Sequence, residues 1–520
     1  MHNNPYLLQI EQTLPRILAL VDKDRTSMSY GLADRYYWAW GLIDFGNGTF
    51  QGMAHGLSRL WVNKLWPYNT SKTDFIKRID SIFIGTKSII RKNGSLEEAF
   101  PNEGSYCVTA LITFDLLCTM DLLSKEIHIK IYQKWQRIIQ PMVEYLLKAD
   151  EKHALISNHL ATAVAALSRW YILTGDKNAE HKARILLDRI IKHQSDDGWF
   201  EEYGGPDPGY QTLCLYYLAD VHKSQPEWGL LKPLKKSMKF LSHFAHPDGS
   251  FGGTYGSRCT RFYCPAGILA LADQIPEAAA LSDYMKSSIN ELKVVTLLAI
   301  DEPNLIPTFN AYCWAAVLQK SSETKTTEKN TLPAFLKKPF RKYYHDSGLI
   351  IDRGTQHYTI IATNKGGVVY HYKDGEKPFI NVGVVVKNSK DRLGSNHSKG
   401  IVDFNIKGRM ITIISPIIPM PKKLSKPYQF LVLRLLSITL FHSSTFREWI
   451  KRLIVKYLIS YDRHWPLSNQ RRIFFGERLE IQDELEYESG YKLVEDVNDF
   501  VPIHMASQGY WQIQDEGVIL

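Results

Sequence analysis

The segment DDGWFEEYGGPDPGYQTLCLYYL, residues 196–218, decides the fold of this chain. A polar, glycine-containing loop leads there into an apolar stretch with helical spacing, and similar loops recur along the first 320 residues. They lie near Gly48, Gly94, Asp150, Gly198, Gly249 and Asp301, at steps of 46, 56, 48, 51 and 52 residues. Internal periods of this length are typical of repeated supersecondary units, here two antiparallel helices with their connections.

The repeat also predicts how the units assemble. A helical hairpin buries only part of its apolar surface, so neighbouring hairpins must stack. Six units favour a closed ring, and we therefore predict an (α/α) toroid of five to six helical hairpins over residues 1–320. In such a ring all six loops lie at one rim and line one cleft.

The second half of the chain has a different residue pattern. SSETKTTEKNT (321–331) is polar and lacks apolar periodicity, which predicts a linker. Beyond it, short β-branched runs such as YTIIATN (358–364) and RMITIISPII (409–418) predict antiparallel strands. The fold class expected is α+β and multidomain: the toroid, then an antiparallel β-sandwich over 332–520 with a helical insertion at about 425–462.

Composition limits the classes of function. The chain has 520 residues, 44% hydrophobic and 22% charged, as ordinary globular proteins do. A net charge of 63 − 54 = +9 suits an anionic partner. Zinc-finger and RNA-binding signatures are absent from the sequence, so we expect no nucleic-acid partner. Six cysteines form no disulfide framework, and we predict no metal and no cofactor, with a structural divalent cation in the sandwich left open.

The N-terminus and one basic segment predict where in the cell the protein is located. The N-terminus lacks the features of a signal peptide, which favours a cytoplasmic protein. FREWIKRLIVKYLIS (446–460) is basic and amphipathic, with Trp449 on it. It is either a packed surface helix with a solvated basic face or a peripheral contact with the inner membrane surface.

Four groups of residues are candidates for chemistry. Asparagine offers two amide donors, histidine carries protons near neutral pH, and arginine binds carboxylates with a two-pronged geometry. Each group also has a structural explanation: a helix cap, a core histidine, a cleft-lining tyrosine or a solvated loop. The groups are Asn158 with His159; Tyr210 with Trp199 and Gln211 in its loop; Tyr255, Arg258, Arg261 and Tyr263; and His397.

At these residues the chain resembles the heparinase II/III-like polysaccharide lyases and their alginate lyase and dermatan-sulfate-epimerase relatives. The resemblance rests on YGLADRYYWAWGLIDF (30–45), SNHLATAVAAL (157–167), the 196–218 segment and NHSKGIVDFNIKGRMI (396–411). It implies a toroid followed by a β-sandwich. It also implies that Asn158 and His159 bind the substrate carboxylate, that Tyr210 transfers protons, that His397 completes the site, and that Tyr428 supplies a second base.

The resemblance implies an enzyme that acts on an anionic, uronic-acid-containing polysaccharide. The first expectation is a lyase that abstracts the C5 proton and eliminates the O4 substituent. A uronate C5-epimerase in intracellular polysaccharide biosynthesis shares the first step and is the alternative. A non-catalytic glycan-binding protein is a third, because Gln211 stands where the family often has histidine. A terpene-cyclase-type toroid ranks last, since no DDxxD or DxDD cluster is present.

Overall fold

The computed structural model describes residues 4–151, 155–322, 332–397, 403–420, 424, 426–443, 446, 449–450, 452–453, 464–486 and 490–502. Its N-terminal part is helical. The helices are α1 (Pro5–Leu18), α2 (Arg35–Trp38), α3 (Met53–Val62), α4 (Lys72–Ile89), α5 (Tyr106–Leu123), α6 (Ile129–Lys148), α7 (Ser157–Thr174), α8 (Lys177–Lys192), α9 (Pro208–Ser224), α10 (Leu231–Leu241), α11 (Pro265–Leu271), α12 (Pro276–Asn290) and α13 (Glu302–Ser322).

The odd-numbered helices from α3 to α13 form a closed inner ring. Each packs on the next odd-numbered helix, and α13 returns to pack on α3. The even-numbered helices lie outside, and α1 covers α13. Every inner helix follows one of the repeated polar loops, so the predicted toroid and its common rim are confirmed.

Helix α5 is the described helix that is long and apolar enough to cross a membrane. It lies in the inner ring, where 83% of its 18 residues are buried. Asp115, in its middle, is hydrogen bonded to His55 of the neighbouring inner helix α3. These contacts identify α5 as a core helix of the toroid.

The C-terminal part is antiparallel β-structure. Its strands are β1 (Phe340–Tyr344), β2 (Leu349–Arg353), β3 (His357–Ala362), β4 (Val368–Lys373), β5 (Phe379–Asn381), β6 (Val385–Asn388), β7 (Leu393–Ser395), β8 (Asp403–Lys407), β9 (Met410–Pro416), β10 (Ile418–Pro419), β11 (Ser468–Phe474), β12 (Glu480–Glu486) and β13 (Tyr491–Val494). Among the described residues they form sheets in the orders β1-β2-β3-β4-β5, β10-β7-β6-β13 and β12-β11-β9-β8.

The three central strands of the first sheet, β2 to β4, are buried on both faces. Alternate side chains point to opposite faces of a strand: in β2, Leu349 and Ile351 join the core of the toroid, whereas Ile350 packs with Ile413 and Ile473 of the third sheet. This double burial explains why the prediction from β-branched runs succeeded there, because strands covered on both faces need apolar residues throughout.

The predicted sandwich and its helical insertion are confirmed. The described part of the insertion begins with helix α14 (Pro427–Ile438). Most of the predicted linker at 321–331 and most of the basic segment 446–460 lie outside the described residues. The domain boundaries stay predictions, and the shared core of sheet and toroid shows how closely the two parts pack.

Candidate functional site

The first residues of α7 lie against the loop that precedes α9. Ser157 N–H donates to the Glu201 carbonyl, and Asn158 Nδ2 donates to Glu202 Oε2 at 2.7 Å. The 249–260 loop joins them, because Ser257 Oγ donates to the backbone oxygen of Glu202 at 2.6 Å. Three repeated loops, widely separated in the sequence, therefore meet at one point of the rim.

Asp207 fixes this junction. Its carboxylate caps α9 by accepting from Tyr210 N at 3.1 Å, and it accepts from Arg258 N at 2.9 Å and from the Thr260 hydroxyl. The loop and the helix also approach closely: a Cβ atom on Gly209 would lie 2.2 Å from Thr260 Oγ1. The positions of Tyr210 and Arg258 are thus set by one buried side chain, which is 0% exposed.

The Arg258 guanidinium lies between two phenol rings. Its central carbon is 4.2 Å from the ring centroid of Tyr203 and 5.5 Å from that of Tyr210. The residue is 7% exposed, yet Nε and Nη1 have no hydrogen-bond partner among the described residues. Burial acts to lower the pKa of Arg258, but attraction to Tyr210, Tyr203 and Glu202 raises it above its ordinary value. A buried cation with unpaired donors is suited to an anionic ligand.

Tyr203, which the sequence did not single out, adopts a backbone φ of 53°. Side-chain-bearing residues rarely occupy this left-handed region, and those that do are concentrated at functional sites. The turn directs the Tyr203 ring onto Arg258. Burial raises the pKa of the Tyr203 phenol, and the nearby charges of His159 and Arg258 act to lower it.

Glu202 is a buried carboxyl group, 4% exposed, at the centre of the cluster. Burial raises its pKa to about 7, although His159, Arg258 and the Asn158 hydrogen bond act to lower it. The carboxyl group therefore changes charge near neutral pH. The preceding residue, Glu201, is partly exposed, so burial does not act on its carboxyl group in the same way.

His159 borders the same cluster. Its Nδ1 atom lies 2.7 Å from Glu151 Oε2, and its side chain is 20% exposed. Burial acts to lower the pKa of His159, but Cys107 and Glu151 raise it well above its ordinary value. The shift favours the cationic form of the imidazole, which is paired with the Glu151 carboxylate.

The β-region also contributes residues to this rim. His397 is 3% exposed, and its Nε2 donates to the Thr254 carbonyl at 2.9 Å, four residues before Arg258. Lys365 follows β3; burial lowers its pKa, while Cys259 and Asp207 act to raise it. Since Nε2 of His397 carries the donated proton, that nitrogen secures the loop rather than acting as a base.

Three predicted residues are packed away from the cluster. Gln211 is 2% exposed and donates to Ser237 Oγ at 2.7 Å, because α9 turns it toward α10. The Tyr255 hydroxyl pairs with His246 Nε2 at 2.8 Å. Tyr263 is 1% exposed and packs on Phe251. As placed, they are core residues, and the expectation that they bind substrate is corrected.

The other predicted residues lie at the edges. Arg261 binds Asp499 at 3.2 Å and so joins the loop to the β-region. Trp199 is partly buried against the toroid core. Tyr428 is 61% exposed in the first turn of α14, and its role as a second base stays a prediction. Asn158, His159, Tyr210 and Arg258 are the predicted residues that the structure brings together.

Among the described residues, no group of three or more His, Cys, Asp or Glu side chains is arranged to hold a metal ion. The cluster instead combines the guanidinium of Arg258 and the imidazole of His159 with two phenols, Tyr203 and Tyr210. Such a set can neutralise a carboxylate and move a proton beside it.

No family model matches the chain, and no curated protein matches it by sequence. Among solved structures, the chondroitin AC lyase of Streptomyces coelicolor A3 in complex with chondroitin sulphate superposes with a TM-score of 0.51 at 11% identity, covering 91% of this chain and 65% of that one. The chain has the fold of polysaccharide lyases.

Other lyases match less closely. Heparinase III gives a TM-score of 0.42 at 11% identity, covering 91% of this chain and 76% of its own. The Paenibacillus xanthan lyase gives 0.48 at 12% identity, covering 80% and 45%. This chain therefore spans about two thirds of the chondroitin AC lyase and less than half of the xanthan lyase. The narrower resemblance to heparinase II/III-like lyases stays a prediction.

Proposed function

We propose that this protein is a lyase for polysaccharides that contain uronic acids. The observation that carries the proposal is the Arg258 guanidinium, buried between Tyr203 and Tyr210 with two donors unpaired. A uronate carboxylate at those donors would place its sugar ring beside the phenols. The polysaccharide lyase fold supports the same conclusion.

The first step of the proposed reaction is removal of the C5 proton. The resulting carbanion is an enediolate, whose second negative charge makes the substrate a poor acid. Arg258 and His159 neutralise this charge, and each preorganised donor of this kind typically contributes about 3–4 kcal/mol. Glu202 in its protonated form adds no opposing charge, which links activity to its pKa of about 7.

Tyr210 is the proposed base. Arg258 stabilises its phenolate form, as a neighbouring cation does for any phenol. The phenolate takes the proton from C5, the C5 electron pair forms the C4–C5 double bond, and the C4–O4 bond breaks. The proton on Tyr210 then passes to the departing O4. The products are a shortened chain and an unsaturated uronate.

Uronate C5-epimerisation is the second candidate, because a second phenol flanks the same guanidinium. An epimerase needs proton-transfer groups on opposite faces of C5, and Tyr203 and Tyr210 both pack on Arg258. In that reaction the C4–O4 bond stays intact and the proton returns to C5 from the other face.

The test uses the purified full chain with heparosan, chondroitin and alginate in deuterated water. Lyase activity gives new ultraviolet absorbance from the unsaturated product, and epimerase activity gives deuterium at C5 without absorbance. We expect Tyr210→Phe to reduce kcat at least about 100-fold, the usual contribution of a proton-transfer group, with an unchanged melting temperature. Tyr68→Phe, at a 42% exposed tyrosine of the toroid, is the control.

Either activity would support the site, and the product would decide between the two reactions. Full activity of Tyr210→Phe would remove the proposed base. Glycan binding with neither absorbance nor deuterium uptake would identify a non-catalytic binding protein and refute both reactions.

A further inference from the structure

Helix α14 exposes an unusual amount of apolar surface. Within the helix, Ser437 is the buried residue. Its large apolar side chains point mostly to solvent: Tyr428 is 61% exposed, Phe430 53%, Leu431 63%, Val432 51%, Leu435 55% and Ile438 68%.

This composition does not match an aqueous environment. A helix that is apolar on most of its sides is normally buried in a core or in lipid. At 12 residues, α14 is too short to cross a bilayer, which takes about 20 residues. Apolar helices of this length are typical of buried or interfacial positions, and α14 is not buried.

A second apolar segment lies beside α14. Trp40 is 92% exposed and Leu42 93%, and both have left-handed backbones, with φ of 64° and 55°. Arg434 of α14 binds Asp44 at 3.0 Å and packs on Phe45, which joins the two segments. We call residues 40–43 and α14 together the α14 surface.

The left-handed backbone at Trp40 and Leu42 is a specific feature. Bulky residues adopt this conformation only at a cost in conformational energy. Here the conformation presents two large apolar side chains fully to solvent, where no contact within the described residues compensates for it. A partner that buries these side chains would compensate for this cost.

The sequence around α14 is strongly basic. Residues 421–463 contain nine Lys or Arg and two Asp or Glu, a net charge of 9 − 2 = +7 out of +9 for the whole chain. Apolar side chains next to dense positive charge are the combination that binds anionic lipid surfaces.

We propose that the α14 surface docks this protein on an anionic lipid bilayer. Trp40, Leu42 and the outer side chains of α14 enter the interfacial layer, and the net positive charge of residues 421–463 is attracted to the lipid phosphates. A second copy of the chain fits less well, because a twofold interface would bring the same positive charge against itself. A glycan fits less well too, because most of the exposed side chains (Leu42, Leu431, Val432, Leu435 and Ile438) are aliphatic and offer it no hydrogen bond.

The test is flotation of the full chain with vesicles of phosphatidylcholine alone or with phosphatidylglycerol. We expect binding to the anionic vesicles that weakens with salt. Two double variants, Leu431→Glu with Leu435→Glu and Trp40→Ala with Leu42→Ala, should each weaken binding at least about tenfold. Each double variant removes two apolar side chains that the bilayer would bury.

The control is Ile172→Glu with Ile185→Glu. These isoleucines of α7 and α8 are 41% and 44% exposed, so the control makes the same change in charge at exposed aliphatic side chains away from the α14 surface. Circular dichroism and melting temperature check folding of every variant. The proposal is overturned if the anionic vesicles do not bind, if the control weakens binding equally, or if the α14 and Trp40 variants instead abolish a dimer in sedimentation. Lyase activity on soluble glycans should be unchanged, which separates this test from that of the proposed function.

Discussion

Replacing Glu202 by Gln should remove a pH dependence from the stability of the fold. The pKa of this carboxyl group rises from an ordinary 4.5 to about 7 on folding. The folded state therefore holds a proton that the unfolded state releases between those values. Stability from this group is fully present below about pH 4.5 and is lost as the pH rises through about 7.

The size of the effect follows from the shift. At 1.36 kcal/mol for each pKa unit, the rise from 4.5 to about 7 corresponds to about 3 kcal/mol. Glu202 is 4% exposed, so solvent screening reduces this little. His159 also has a raised pKa, but its loss of stability begins only above its ordinary value of 6.5.

The measurement is the free energy of unfolding in urea at several pH values between about 4.5 and 7.5 for the parent, Glu202→Gln and Glu201→Gln. The difference between the parent and Glu202→Gln should change by about 3 kcal/mol over this range, to the disadvantage of the parent at high pH. Glu201 is partly exposed, so its variant should follow the parent. Parallel curves for the parent and Glu202→Gln would refute the assignment of a neutral buried acid.

Two further predictions concern the β-region. Arg471 is 0% exposed and binds Asp483 and the Gly367 carbonyl, so Arg471→Met should destabilise the chain by about 3 kcal/mol in the same urea measurement. The control is Arg472→Met, at a 38% exposed ion pair, which should cost at most about 1 kcal/mol. The second prediction is that His397 acts by holding the Arg258 loop. The amide of His397→Gln can still donate to the Thr254 carbonyl, so this variant should keep most of the activity that His397→Ala loses. Equal loss of activity in both variants would instead indicate that His397 carries a proton.

The sequence located the elements of the toroid because its signals are local. Tyr106 and Tyr210 each lie twelve residues after a loop glycine, and each lies at the start of an inner helix. The Asp207 cap and Pro208 define where α9 begins. Such signals involve residues only a few positions apart, so they can be recognised in the sequence at each loop of the repeat.

The composition of the site was harder to predict, because it depends on which loops meet. Nothing in EEYGG distinguishes Glu202, which is buried beside Asn158, from Glu201. Tyr203 acquires its position from a left-handed turn, and Lys365 comes from a different part of the chain. Gln211 follows Tyr210 in sequence but points to α10, because adjacent residues of a helix face different directions.

The β-region also contributes to the site in a way that the sequence did not indicate. Tyr370 of β4 accepts from Thr254 N at 3.1 Å, His397 donates to the Thr254 carbonyl, and Arg261 binds Asp499. A Cβ on Gly253 would lie 2.6 Å from the Tyr370 hydroxyl, so the loop can approach the sheet only with glycine there. The β-region thus holds both ends of the segment that carries Arg258. A toroid alone would leave that guanidinium on a loop anchored mainly by Asp207, and a site that must meet a carboxylate within a few tenths of an ångström gains from the additional support.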